Sequence, residues 1–173
     1  MQGFTDSQIP VSEFPVLVIG IGNHYRSDDA VGLVVAQMLK TMNLPGVTVI
    51  EESGESVALM EAWKDTDRVI VVDAAFSGGA PGTIYRFDAR VQQIPRSLFA
   101  HYSTHALSIA DAIELARTLN QLPPCLIVYG IESKYFEPGI GLSPEVEQAA
   151  HDVVHRVAQE IQTKLQKLNA ERR

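Results

Sequence analysis

The apolar positions of this chain follow two periods that alternate along its length. Val16-Leu17-Val18-Ile19-Gly20 is a continuous, β-branched run closing on glycine, the pattern of a strand buried on both faces. Past Asp28, Val31, Val34, Val35, Met38, Leu39 and Met42 recur at i, i+3, i+4, i+7, i+8 and i+11, one face of a helix that Pro45-Gly46 ends. Val47-Thr48-Val49-Ile50 predicts a second strand, residues around Val57 to Trp63 a short helix, and Val69-Ile70-Val71-Val72 a third strand running into Asp73. After the turn-rich stretch 77–82, Thr83-Ile84-Tyr85-Arg86-Phe87 predicts a half-exposed strand, antiparallel to its neighbour. A helix from about Thr104 to Asn120, a buried strand over 126–131 and a long last helix complete the pattern. Ser143 is placed as N-cap of that last helix and Pro144 at its first position, ahead of an apolar stripe of Val146, Ala150, Val153, Val157 and Ile161.

Strands alternating with helices at this spacing call for right-handed crossovers and helices on both faces of a sheet. The expected fold is a three-layer α/β/α sandwich around a mostly parallel, mixed, five-stranded twisted sheet. One domain is expected over residues 16–168, between a flexible tail at 1–15 and a short tail at 169–173. With 173 residues the chain buries enough surface to need no metal or disulfide for its core, so any metal here serves function. Fourteen basic residues against 21 acidic ones, net −7, argue against a phosphate-neutralising surface and hence against nucleic acid. The single cysteine, Cys125, opens an apolar run and reads as a small buried hydrophobe, consistent with a cytoplasmic protein. No apolar stretch approaches the ~18 residues of a membrane span, and the first fifteen residues lack the layout of a signal peptide.

In open α/β sheets ligands bind beyond the carboxyl ends of the strands, where the strand order reverses. If the first and third strands are neighbours, Asp29 and Asp73 approach one crevice. Gly20-Ile21-Gly22 resembles part of a dinucleotide fingerprint, but Tyr25 stands where that motif needs glycine, and Asp28 and Asp29 oppose a pyrophosphate. Acids before a helix commonly cap it; capping is assigned to Asp28 and a site role to Asp29. Asp73 ends four β-branched residues, a place where a carboxylate needs a cation, a proton or backbone amides to be tolerated. His105 sits at the predicted start of a helix, in competition with His24, His101, His151 and His155. Two carboxylates and an imidazole suit zinc or nickel and leave positions open. Spacing alone does not select these three.

Several separated blocks resemble the hydrogenase maturation proteases, which trim the C-terminal extension from the precursor of the [NiFe]-hydrogenase large subunit. They are Gly20-Ile21-Gly22-Asn23 with Ser27-Asp28-Asp29-Ala30-Val31-Gly32, then Val72-Asp73-Ala74 with Pro81-Gly82-Thr83, then Ser103-Thr104-His105. The last runs from Gly130-Ile131-Glu132 through Glu137-Pro138-Gly139-Ile140-Gly141-Leu142-Ser143-Pro144-Glu145-Val146. The resemblance implies Asp29, Asp73 and His105 as metal-contacting residues and Asp29 and Asp73 as the catalytic acids. It departs from the family at Asp29, which is glutamate in some members, at Ala30, often glycine, and in the bulkier loop 23–26. It further implies an endopeptidase acting on the precursor as a monomer, with nickel carried by that substrate and sensed by the protease. Zinc or cadmium would be expected to enter the same site in vitro. The rival expectations are a non-catalytic nickel-sensing chaperone of the precursor and a nucleotide-binding domain using Gly20 and Gly22. Nucleophilic catalysis fits poorly: Cys125 lies in a predicted buried strand and no serine has the G-x-S-x-G setting.

Overall fold

A computed structural model of the chain describes residues 15–99 and 108–171. The strands are β1 (Val16–Ile21), β2 (Val47–Glu52), β3 (Arg68–Ala75), β4 (Ile84–Asp88) and β5 (Cys125–Glu132). The helices are α1 (Val31–Thr41), α2 (Ser56–Trp63), α3 (Ile109–Thr118) and α4 (Pro144–Glu171), the last extending past the expected domain boundary at 168. They build one sheet in the order β2-β1-β3-β5-β4, in which β4 alone runs antiparallel, against β5.

Alternation of side chains along each strand sorts the core into two halves. Val18, Ile70, Val72, Ile127 and Ile131 face α1 and α4, meeting Val31, Val35, Leu39, Val146, Ala150, Val153 and Val157. Leu17, Ile19, Val69, Val71, Leu126 and Val128 face α2 and α3, meeting Leu59, Trp63, Ile109, Ile113 and Ala116. The continuous apolar runs of β1, β3 and β5 are therefore central strands buried on both faces, while β2 and β4 lie at the edges and are only half buried. Among the described residues, no helix is long and apolar enough to cross a membrane.

Three local expectations are corrected. The helix expected from Thr104 starts at Ile109, where Ser108 and Asp111 form a capping box: the Asp111 amide donates to the Ser108 hydroxyl oxygen and the Ser108 amide to the Asp111 carboxylate. β3 does not stop at Asp73 but continues two residues to Ala75, because β5 pairs with it through Glu132. Cys125 is partly rather than fully buried, and its Sγ accepts from Lys164 Nζ at 3.2 Å.

Candidate active site

With β1 and β3 paired and β2 beyond β1, the strand order reverses between β1 and β3, and the loops leaving them diverge. α1 starts hard against both strand ends. A Cβ on Gly32 would collide with the carbonyl oxygens of Ile21 and Val72, and one on Gly20 with the Gly32 carbonyl. The glycines thus allow strand–helix contact, which is the physical use of Gly20 in this chain. A single 3-10 turn, Ser27–Ala30, bridges the β1 loop to α1 and carries Asp29, which is half-buried.

Asp73 lies in β3 beside Gly130 of β5, with 7% of its surface exposed. Its Oδ1 accepts from the Ala74 amide at 2.8 Å. Burial, reinforced by the negative charge of Asp29, pushes its carboxyl well above the usual carboxylate range, against a smaller opposite pull from the Ala74 amide. Asp29 and Asp73 are thereby brought within electrostatic reach of each other, as the crevice argument required. A buried carboxyl close to a second negative charge retains its proton to higher pH than a free one. It is also a place where a cation or a basic group would be drawn in.

Among the described residues no three His, Cys, Asp or Glu side chains form a metal-binding group. His105, the third expected member, lies outside the described residues, as does His101. His24 is turned to the side, with Nε2 3.4 Å from Glu51 Oε2, and His151 and His155 are exposed on the outer face of α4.

Asp28 does not cap α1. The N-cap position is Ala30, without a side-chain cap, and Asp28 is fully buried as a cross-link between distant parts of the chain. Its carboxylate accepts from the Ser143 amide at 2.6 Å, the Ser143 hydroxyl at 2.9 Å, and the Lys134 and Tyr135 amides, both at 3.0 Å. Ser143 therefore stands at the head of α4, its carbonyl accepting from Glu147, while its hydroxyl donates to Asp28. One acid ties the β1 loop, the loop after β5 and the start of α4 into a single block.

Glu132 is a third buried acid, which the sequence does not single out as a site residue. It ends an apolar run just as Asp73 does, so the same signal was present. Its carboxylate gathers the Ser77, Gly78 and Gly79 amides and the Ser77 hydroxyl from the loop that leaves β3.

Two acids at the switch point of an α/β sheet, walled by loops fastened through buried carboxylates, form a crevice whose side chains could support hydrolytic chemistry. Comparison with known proteins narrows the class. The HycI family model, described as hydrogenase maturation protease, matches residues 33–160, a span that includes Asp73 and begins just after Asp29. The Hydrogenase 2 maturation protease of Escherichia coli K12 is 30% identical over 145 residues, covering 82% of this chain and 87% of that protein. An endopeptidase from Escherichia coli, solved in solution, superposes with a TM-score of 0.70 at 27% identity, covering 83% of this chain and 89% of its own. The hydrogenase maturating endopeptidase HybD from Escherichia coli shares the fold with a TM-score of 0.70 at 24% identity, over 87% and 93% of the two chains. The chain belongs to the hydrogenase maturation protease family.

Proposed function

We propose that this protein is the endopeptidase that removes the C-terminal extension of the [NiFe]-hydrogenase large-subunit precursor after nickel insertion, reading the substrate's nickel through Asp29, Asp73 and His105. The observation that carries this reading is the buried Asp73 beside Asp29 at the switch point of a fold that belongs to this family. Carboxylates and an imidazole match the donor preferences of a borderline divalent ion whose remaining ligands come from the precursor. A precursor without nickel forfeits those bonds, so recognition doubles as a check that the metal is in place.

The electrostatics give the check a second role. Burial and the charge of Asp29 favour the protonated form of Asp73; the positive charge of an arriving nickel-loaded precursor favours release of that proton and leaves a carboxylate to act as general base. That carboxylate takes a proton from the water that attacks the scissile carbonyl, and the proton is passed on to the leaving amide nitrogen as the bond breaks. The protein acts in the cytoplasm as a monomer, and zinc or cadmium can stand in for nickel at the acids in vitro.

The test is to incubate the protein with nickel-loaded and nickel-free precursor and follow the mass of the large subunit. The loaded form should lose its C-terminal peptide and the free form should stay whole. A loaded precursor that binds and stays intact would make the protein a nickel-sensing chaperone instead. Thermal stabilisation by NAD would point to nucleotide binding.

A further inference from the structure

The loop that leaves β3 is held by one residue at both ends. At its start, Glu132 Oε1 accepts from the amides of Ser77 at 2.8 Å, Gly78 at 3.0 Å and Gly79 at 3.1 Å, and Oε2 accepts from the Ser77 hydroxyl at 2.9 Å. At its far end the Glu132 carbonyl accepts from the Gly82 amide and the Glu132 amide donates to the Thr83 carbonyl, both at 2.8 Å. The residue is fully buried and sits in register with Ala75, two residues beyond Asp73 on the neighbouring strand. Phe76, the first residue of the loop, stacks edge-on against Phe136, with ring centroids 5.6 Å apart, in the segment that Asp28 fastens from the other side. A carboxylate that satisfies three consecutive amides fixes a turn of backbone as firmly as a strand pairing does.

We infer that Glu132 is a positioning residue of the proteolytic site, fixing the exit of β3 and the 76–82 loop so that Asp73 keeps its placement beside Asp29. The inference rests on the reading of the crevice as proteolytic. Geometry, not charge, is what the site asks of Glu132, and the pattern of bonds makes the two separable. All three amides go to one oxygen, so a glutamine can present its carbonyl there. Its NH2 group then meets the Ser77 hydroxyl, which can turn its proton to the Tyr85 hydroxyl 3.0 Å away. Aspartate keeps the charge but, one methylene shorter, cannot span the same three amides.

The experiment compares Glu132→Gln, Glu132→Asp and Glu132→Ala with the parent on nickel-loaded precursor. Loss of the anchor should lower kcat about 10- to 100-fold in the Ala and Asp variants, with KM within about twofold, while the Gln variant stays within about threefold of the parent. Amide exchange at Ser77, Gly78 and Gly79, readable without substrate, should be slow in the parent and the Gln variant and fast in the other two. If the Ala and Asp variants lose thermal stability yet keep the parent's kcat, Glu132 is only a structural anchor and the inference fails. If Asp rescues and Gln does not, its charge acts and the inference fails as well. A parent that leaves loaded precursor uncut overturns the proteolytic reading itself, a result distinct from either.

Discussion

Glu160 and Asp73 are both carboxyl groups drawn largely out of water, at opposite ends of the sheet, and their surroundings push them in opposite directions. Around Glu160, burial raises the carboxyl, but this is outweighed by hydrogen bonds from Arg86 and Tyr129 and by the charges of Arg86 and Lys164, so its pKa falls below the usual range. Arg86 Nη2 lies 2.6 Å and Lys164 Nζ 3.3 Å from Oε1, and the Tyr129 hydroxyl donates to Oε2 at 2.8 Å. Tyr129 in turn is pushed up to about 12, mainly by burial and then by its bond to Glu160. At Asp73 burial is instead joined by the negative charge of Asp29, and its pKa rises. The first arrangement joins β4, β5 and α4; the second leaves a concentration of acid that a cation can relieve. Ionisable groups are compensated by opposite charge around Glu160 and pushed toward the protonated form at Asp73.

The largest effect that tests this contrast is on processing. Asp73→Asn keeps the volume of the side chain and should keep the fold, yet lower the rate of precursor cleavage on the order of a thousandfold, measured by the mass of the large subunit over time. Retained activity would remove Asp73 from the chemistry. Next comes the acid that resembles neither case. Asp28 is satisfied wholly by amides and a hydroxyl, and Asp28→Asn turns an NH2 group toward those donors. Urea unfolding should show a loss of about 2–4 kcal/mol.

The sharpest form of the comparison makes the same acid-to-amide change at both ends and reads the sign. Glu160 has a lowered pKa, so its contribution to stability is present above its ordinary value of 4.5 and disappears as the pH falls through the lowered value. Glu160→Gln should therefore cost on the order of 1 kcal/mol at neutral pH, after screening of the partly exposed Arg86 and Lys164, and progressively less in acid. Asp73 has a raised pKa, so its contribution is full below its ordinary value of 3.8 and is lost as the pH rises through the raised value. Asp73→Asn should thus raise the melting temperature at neutral pH, by roughly 2–4 °C for each kcal/mol recovered, and the gain should vanish near pH 3. Equal signs at neutral pH would erase the contrast. The smallest effect belongs to the exposed pair Lys40 and Glu51, 2.8 Å apart, where Lys40→Ala should change stability by less than about 0.5 kcal/mol in the same urea titration.

How far these features could be read from the chain follows the range of the forces behind them. β1, α1 and β3 declare themselves through local periodicity, but the neighbouring of β1 and β3 was only a condition in the sequence, since right-handed crossovers allow other strand orders; the pairing itself, which puts Asp73 within electrostatic reach of Asp29, comes from the structure. The start of α3 was misplaced because Thr104 looks like a start, although Ser108 and Asp111 carry a capping pattern of their own. Asp28 was misread for a different reason: its partners Lys134, Tyr135 and Ser143 are more than a hundred residues away, and a local rule assigns a buried cross-link to the helix beside it. Glu132 followed the rule that selected Asp73, an acid closing an apolar strand, but what compensates its burial is a turn of backbone over fifty residues upstream.

The decisive property is whether Asp29 and Asp73 take up a single divalent ion together. A crystal of this protein soaked in zinc, with anomalous data collected at the zinc edge, reads that without any substrate. The expected result is one strong peak with carboxylate oxygens of both residues and a nitrogen of His105 at roughly 2.0–2.2 Å. A well-occupied zinc elsewhere in the protein, with Asp29 and Asp73 ordered and bare, would contradict it.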